Sequence, residues 1–262
     1  MEKPQATADE KPSSAERNRS LERGVEILRA FRPGADLLGN GELAERTGLS
    51  RATVSRLTQT LMDCGMLERD RSRRAYRLAA PVLSLAHAMR TGSPVLAVAG
   101  PLMRTEAEKL KINVGLAVAD RDEMVYLESV RYSRRVAWRN VVAGQRVPME
   151  LTSLGHAWLA AADEPVRKRL LAHFKARRRG EWSGLSREIT QAVASVKNAG
   201  YCWASWQPQV VALATPVVLG KHPVHVLNMS VTGEETPQAV VDRLHEPLLA
   251  LAKRLQEGIS AA

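Results

Sequence analysis

The sequence predicts a multi-domain α+β chain, with a winged helix-turn-helix at its N-terminus and a larger α+β domain with an antiparallel sheet after it. Three observations predict this fold class. Two short helical patterns meet at Gly48, a hairpin with a basic tip follows them, and beyond residue 93 two batches of β-branched runs are separated by helical patterns. A chain of 262 residues with 45% hydrophobic content is long enough to bury two cores.

Changes in composition divide the chain into four segments. The first residues mix Pro, Ser, Glu and Lys with almost nothing apolar, which predicts a disordered tail. Leu21, Val25 and Leu28 at helical spacing predict a first helix, capped by Ser20, that packs under the helix-turn-helix. The predicted segments are the tail over residues 1–17, the winged helix-turn-helix over 18–80, a linker helix over 81–93 and the second domain over 94–259.

The helix-turn-helix is centred on Gly48, which supplies the positive φ that ends its first helix. Ser50 is a good N-cap for the second helix, in which Val54, Leu57 and Leu61 share one stripe that we expect to be buried. The polar side chains of this second helix suit hydrogen bonds with base edges and phosphates in a major groove. The DNA-contact candidates are Ser50, Arg51, Thr53, Ser55, Arg56 and Gln59.

A basic hairpin follows the second helix and predicts the wing of a winged helix. Two apolar-alternating runs, residues 66–69 and 75–78, surround a tip that carries Arg71, Arg73 and Arg74. We expect these arginines to contact the DNA backbone or the minor groove. The alternative is a small helical subdomain with a solvated basic loop, but helix, turn, helix and basic hairpin occur here together and in order.

The composition favours an anionic partner in a reducing compartment. The formal net charge is +10, and residues 46–90 hold nine arginines against three acidic residues. The two cysteines form no disulfide framework, and we find no apolar signal or membrane-spanning run, so we expect a cytoplasmic protein that does not bind membranes. We predict no metal site, because His222 and His225 flank a proline and lie near no Cys or carboxylate cluster.

The second domain is predicted as strands in two batches with helices between them. The first batch is a hairpin and a third strand, and the second is two apolar runs typical of central strands. A basic run at residues 175–179 is expected to be a solvated face. We expect strands over residues 114–119, 124–130, 136–138, 210–216 and 224–232, and helices over 95–110, 151–160, 164–174, 186–198 and 236–255.

Both halves resemble the IclR family of bacterial transcriptional regulators, in the family's order and over about residues 20–257. The resemblance implies a GAF-like effector-binding and oligomerisation domain. It also implies a homodimer or homotetramer that binds a pseudo-palindromic operator in double-stranded DNA, which we expect to act as a repressor of a catabolic or metabolic operon. The matching stretches are 41–57, 65–69 and 76–78, then 115–118, 122–127, 146–149, 154–160, 196–201, 214–217 and 230–233.

The resemblance further implies a site for a small organic effector against the sheet of the second domain. A loop and the helix after it would form one wall, and two hydroxyl groups on a strand would orient the ligand. The implied effector residues are Trp138, Met149, Leu154, Gly155, Ala204, Trp206, Ala212, Ser230 and Thr232.

At this site the sequence departs from the family pattern. Acidic residues usual after the Gly-Tyr pair are absent, Trp203 and Trp206 occur in that stretch, and Ala212 replaces a usual cysteine. This favours an aromatic or apolar effector, or else a degenerate pocket in a ligand-blind DNA binder. An enzyme is the other alternative, but the sequence has no Gly-x-Ser-x-Gly motif, phosphate-binding loop or dinucleotide fingerprint. We therefore predict no catalytic residue and no cofactor.

Overall fold

The computed structural model describes residues 18–132, 142–220 and 222–260. The tail predicted over residues 1–17 and the strand expected at 136–138, with Trp138, lie outside these residues. The chain divides into two compact units, Met1–Ala88 and Met89–Ala262. This division falls within the helix that was predicted as a linker.

The first unit is a helix-turn-helix followed by a hairpin, as predicted, and the hairpin belongs to a three-stranded antiparallel sheet. The sheet has the order β1-β3-β2, and Leu67 of β2 lies opposite Leu78 of β3. Only the short strand β1 was not predicted. The elements are α1 (Arg19–Arg29), β1 (Leu38–Gly39), α2 (Asn40–Thr47), α3 (Arg51–Asp63), β2 (Leu67–Asp70), β3 (Ala75–Leu78) and α4 (Pro81–Thr91), whose last residues belong to the second unit.

Helix α1 forms as predicted, but its cap and its buried face differ from the prediction. The side chain of Asn18, not that of Ser20, caps the helix by accepting hydrogen bonds from the N–H groups of residues 20 and 21, both at 3.1 Å. Ile27 is fully buried in the core of this unit, whereas Leu21 is 67% exposed. The helix therefore leaves part of its apolar surface uncovered.

The second unit is a six-stranded antiparallel sheet with helices on both faces. The strand order is β6-β5-β4-β9-β8-β7, so β9 is central and β8 lies beside it, as predicted. The edge strands β6 and β7 were not predicted. The elements are α5 (Pro94–Leu110), β4 (Asn113–Asp120), β5 (Glu123–Arg131), β6 (Arg146–Pro148), α6 (Ser153–Ala161), α7 (Glu164–Arg177), α8 (Trp182–Ala199), β7 (Cys202–Gln207), β8 (Val210–Val217), β9 (His225–Thr232) and α9 (Pro237–Ser260).

Alternating residues of the strands divide the second unit into two cores. On one face Leu116, Leu213 and Leu227 pack with α5 and α9. On the other face Ala117, Ala214 and Val226 pack with α6, α7 and α8. The second face carries the cavities described below, because α6 approaches the sheet there.

Helix α6 approaches the preceding loop so closely that a glycine is required. A Cβ atom on Gly155, in the first turn of α6, would lie 1.9 Å from the carbonyl oxygen of Met149. No rotamer change relieves this contact, since the opposing atom belongs to the backbone. The loop and the N-terminus of α6 can therefore occupy these positions only because Gly155 has no side chain.

We expect Gly155→Ala to lower the free energy of unfolding by about 3 kcal/mol or more, because the new methyl group forces α6 away from the loop. Urea denaturation of the full chain measures the change. Gly184→Ala is the matched control, because Gly184 lies in the first turn of α8 and a methyl group there would meet no atom within 4 Å. The control should alter stability by about 1 kcal/mol at most. Equal stabilities of the two variants would contradict the steric argument.

Candidate functional site

Helix α3 presents a polar face to solvent. Ser50 caps the helix through a hydrogen bond from the N–H of Thr53 at 3.2 Å. The buried stripe consists of Val54 and Thr58, while Leu57 and Leu61 of the predicted stripe are only half-buried. Thr58 can be buried because its hydroxyl donates to the carbonyl of Val54 at 2.9 Å.

The predicted contact residues of α3 fall into two groups. Arg51, Ser55 and Arg56 are exposed, and the structure shows no ion pair for either arginine among the residues it describes. Ser50 and Thr53 are instead joined to each other by a 2.9 Å bond between their hydroxyl groups. Gln59 is exposed, but its amide donates to Asp63 at 2.8 Å. Three side chains are thus free to contact a partner without breaking a bond within the helix.

Asp70 organises the hairpin tip. Its carboxylate accepts hydrogen bonds from the Ser72 hydroxyl at 2.6 Å, the Arg73 N–H at 3.0 Å and the Arg77 guanidinium at 2.7 Å. These bonds, with that of Ser72 the largest, lower the pKa of Asp70 to about 2. The tip is therefore a defined turn, and the predicted wing residues Arg71, Arg73 and Arg74 are all exposed on it.

In the second unit a small cavity lies between the sheet and the N-terminus of α6. Its volume is about 50 Å³. Thr152 caps α6 by accepting a hydrogen bond from the Gly155 N–H at 3.3 Å, and its own hydroxyl donates to the Pro148 carbonyl at 2.9 Å. Because Thr152 and the first residues of α6 line the cavity, the positive end of the helix dipole lies beside it.

A buried polar pair forms the sheet side of this cavity. Asn228 lies opposite Gly115 in the β4–β9 ladder, and its Nδ2 atom lies 3.5 Å from the hydroxyl of Tyr126. A Cβ on Gly115 would lie 2.4 Å from Asn228 Oδ1 and 2.5 Å from the Tyr126 ring, so the glycine makes room for both side chains. Burial raises the pKa of Tyr126 to about 12, which keeps its hydroxyl protonated. Asn228 Oδ1 has no hydrogen-bond partner among the described residues.

The structure brings together only part of the predicted effector set. Leu154, Trp206, Ala212 and Ser230 line the small cavity. Met149 and Gly155 pack behind its wall, Ala204 lines a neighbouring cavity, Thr232 is exposed at the end of β9, and Trp138 is outside the described residues.

The sequence reasoning missed most of the polar lining. Tyr126, Gln145, Thr152 and Asn228 line the cavity but were not candidates. One signal was available, because Asn228 lies two residues before Ser230 and strand residues two apart share a face. Tyr126 and Gln145 join the site only through the register of the sheet, which the sequence does not give.

Glu150 fixes the loop that precedes α6. Its carboxylate is fully buried and accepts hydrogen bonds from Arg177 at 3.0 Å and Arg178 at 3.1 Å. Its carbonyl lies 2.9 Å from Nε2 of the buried His156. In the basic run 175–179, which was predicted as a solvated face, Arg177 is exposed and Arg178 is half-buried, and the prediction missed that each pairs with a buried charge.

Two kinds of feature are absent from the part of the chain that the structure describes. No group of three or more His, Cys, Asp or Glu side chains is placed to hold a metal ion. No helix there is both long and apolar enough to cross a membrane.

Comparison with known proteins links both units to one group of regulators. Residues 20–71 match the IclR helix-turn-helix domain, and residues 87–257 match the domain described as bacterial transcriptional regulator IclR C-terminal. The chain is 30% identical over 246 residues to the HTH-type transcriptional regulator TsaQ1/TsaQ2 of Comamonas testosteroni, covering 92% of this chain and 87% of the relative. It is 26% identical over 252 residues to the p-hydroxybenzoate hydroxylase transcriptional activator of Acinetobacter baylyi, covering 90% of each. The crystal structure of an IclR family transcriptional regulator from Brucella abortus has a TM-score of 0.85 and 32% identity, covering 94% of each chain.

Proposed function

Because the chain belongs to the IclR family of bacterial transcriptional regulators, we propose that it binds a pseudo-palindromic operator as a homodimer or homotetramer in the cytoplasm. A small organic effector in the second unit then changes its affinity for that operator. The chain is a DNA-binding regulator and not an enzyme.

The observation that carries the proposal is the exposed polar face of α3 beside the arginine-rich wing. Arg51, Ser55 and Arg56 are exposed on the helix, and guanidinium groups hydrogen-bond guanine edges and phosphates. Ser50 and Thr53 contribute indirectly, because the hydrogen bond between their hydroxyl groups fixes the start of the helix that carries the contact residues. The wing arginines contact phosphates or the minor groove, and therefore add affinity with little sequence preference.

Uncovered apolar surface supports association between copies of the chain. Leu21 is 67% exposed on α1, and Leu83 is 74% exposed on α4. Val25, Leu85 and Met89 of the same two helices are also exposed. Large apolar side chains exposed on these helices are available for contact with a second copy of the chain. A two-fold dimer would place its half-sites about one helical turn, roughly 10 bp, apart or at a multiple of this spacing.

For the effector we propose an aromatic carboxylate. The small cavity offers the N-terminus of α6, the Ser230 hydroxyl and the Asn228 amide, all of which suit a carboxylate. A volume of about 50 Å³ fits the carboxylate group but not a ring, so the half-buried Trp206 would move to admit the ring. The Acinetobacter relative is named as the transcriptional activator of p-hydroxybenzoate hydroxylase, which supports an aromatic acid.

The same small volume favours one alternative, a ligand-blind regulator. A cavity of about 50 Å³ is well below the 300–1,000 Å³ usual for ligand pockets. In that case the second unit would serve only to join copies of the chain. The effector titration below separates the two functions.

We propose that the protein is a repressor, although one relative is named as an activator. Transcription in vitro from the operator promoter tests this sign. Addition of the protein should lower transcript yield, and a rise in yield would reverse the assignment.

Arg56→Ala should weaken operator binding by about 1–3 kcal/mol and relax the preference at one base position of each half-site, because a base-edge contact is lost. Fluorescence anisotropy with single-base operator variants measures both effects. Arg169→Ala is the control, since Arg169 is an exposed arginine of α7 in the second unit. An equal loss on every sequence would instead make Arg56 a phosphate contact.

Arg73→Ala should weaken binding evenly across sequences and reduce the slope of log K against log salt by about 1, because one phosphate contact is removed. Anisotropy titrations over a range of salt concentrations give the slope. If the slope for Arg73→Ala equals that of the unaltered protein, Arg73 does not contact the DNA backbone.

4-Hydroxybenzoate should bind the full chain in a calorimetric titration, and Ser230→Ala should weaken that binding by about three- to tenfold through loss of a hydrogen bond. Thr232→Ala is the matched control, because Thr232 lies on the same strand but outside the cavity. If none of a set of aromatic carboxylates binds, the result favours the ligand-blind alternative.

A further inference from the structure

A second and larger cavity lies between α8 and the edge strand β7. Its volume is about 580 Å³, within the range of small-molecule sites. It shares only Trp206 with the small cavity among the described lining residues. The proposed regulation by an effector does not require this second cavity, so the side chains that line it need a separate explanation.

His156 contributes a buried hydrogen-bond acceptor to this cavity. The side chain is 2% exposed, and its Nε2 atom lies 2.9 Å from the carbonyl of Glu150. A carbonyl oxygen only accepts, so Nε2 carries the proton. Burial lowers the pKa of His156, which keeps the ring neutral and leaves Nδ1 as a bare acceptor. Nδ1 has no partner among the described residues, but it is closed to solvent, so a ligand donor reaches it only after a local rearrangement.

Helix α8 adds a carboxylate to the same cavity. Glu188, Gln191 and Ser195 recur at helical spacing and face β7. Glu188 is exposed, and it makes no hydrogen bond or ion pair within the described part of the chain. The described lining includes no Lys or Arg, although the chain as a whole is strongly basic. Glu188 is therefore the charged group among the described lining residues.

Two indole rings complete the lining. Trp203, 43% exposed on the edge strand, and the half-buried Trp206 both border the cavity. Aromatic faces attract organic cations, and tryptophan does so most strongly. The charged and aromatic groups of the described lining are thus a carboxylate and two indoles, which favour a cation over an anion.

We propose that the cavity between α8 and β7 is a second ligand site, specific for an organic ammonium ion with an aromatic or alkyl body. The ammonium group donates to the Glu188 carboxylate, and the body packs against Trp203 and Trp206. The small cavity, with its helix N-terminus, has the opposite preference. The two cavities thus select ligands of opposite charge.

The test is calorimetric titration of the full chain, without DNA, using benzylamine as the probe. Benzyl alcohol is the neutral analogue and benzoate the anionic one. Benzylamine should bind at one site in the millimolar range or tighter, and at least tenfold more tightly than benzyl alcohol. No detectable binding of benzylamine, or equal binding of the alcohol, would overturn the proposal.

Two variants place the binding site. Glu188→Gln and Trp203→Ala should each weaken benzylamine binding about three- to tenfold, and both residues are exposed enough to be changed without disturbing the core. Glu257→Gln, an exposed glutamate on α9, is the control and should not weaken binding. Retention of full affinity by both Glu188→Gln and Trp203→Ala would place the probe elsewhere and refute the site.

Ser230→Ala separates this proposal from the proposed effector site. The change should leave benzylamine affinity unaltered, because Ser230 does not line the larger cavity. Weaker benzylamine binding in Ser230→Ala would mean that both probes enter one cavity, which would also refute a separate cation site. Because operator binding plays no part in these titrations, failure here leaves the proposed DNA-binding function unaffected.

Discussion

The close approach of helix α6 to the loop before it is the constraint on which both cavities of the second unit depend. Gly155 lets the helix backbone pass the carbonyl of Met149, where a methyl group would meet it at 1.9 Å. This contact directs the helix N-terminus toward the sheet. It also brings His156, one residue further on, within 2.9 Å of the Glu150 carbonyl. One missing side chain thus positions the anion-favouring end of the helix and the acceptor that borders the larger cavity.

Gly115 has a similar role on the sheet side. Strand β4 has no side chain at Gly115, and two side chains from the neighbouring strands fill this space: Tyr126 from β5 and Asn228 from β9. Their polar atoms are thereby buried at the cavity wall instead of at a strand edge. Burial of polar atoms is unfavourable unless they are hydrogen-bonded, and Asn228 Oδ1 is left without a bond among the described residues. The wall therefore suits an effector that carries a donor, such as the phenol hydroxyl of 4-hydroxybenzoate, besides its carboxylate.

The elements that depend on local apolar periodicity could be predicted from the sequence, whereas the contacts that depend on the pairing of strands could not. Helix α3 and the central strand β9 were found because their apolar spacing is regular. Strand β7 was missed because its residues show no β-branched alternation and it pairs on one side only. Tyr126 and Gln145 join the cavity lining only through strand pairing, which links residues far apart in the sequence. The resemblance supplied Ala212 and Ser230, which lie opposite each other in the β8–β9 ladder, but not Tyr126 or Gln145.

The structure also changes the meaning of the net charge. In the second unit several arginines are neutralised locally: Arg146 pairs with Asp120 and Glu123, and Arg177 and Arg178 with the buried Glu150. On α3 and the wing tip, by contrast, the predicted contact arginines make no ion pair with described residues. Arginine therefore has two roles in the described residues: some arginines hold carboxylates, and those of α3 and the wing tip leave unneutralised positive charge. Since uncompensated charge sets the field that a polyanion meets, the arginines of α3 and the wing contribute to that field, although residues 89–262 carry +7 of the net charge of +10.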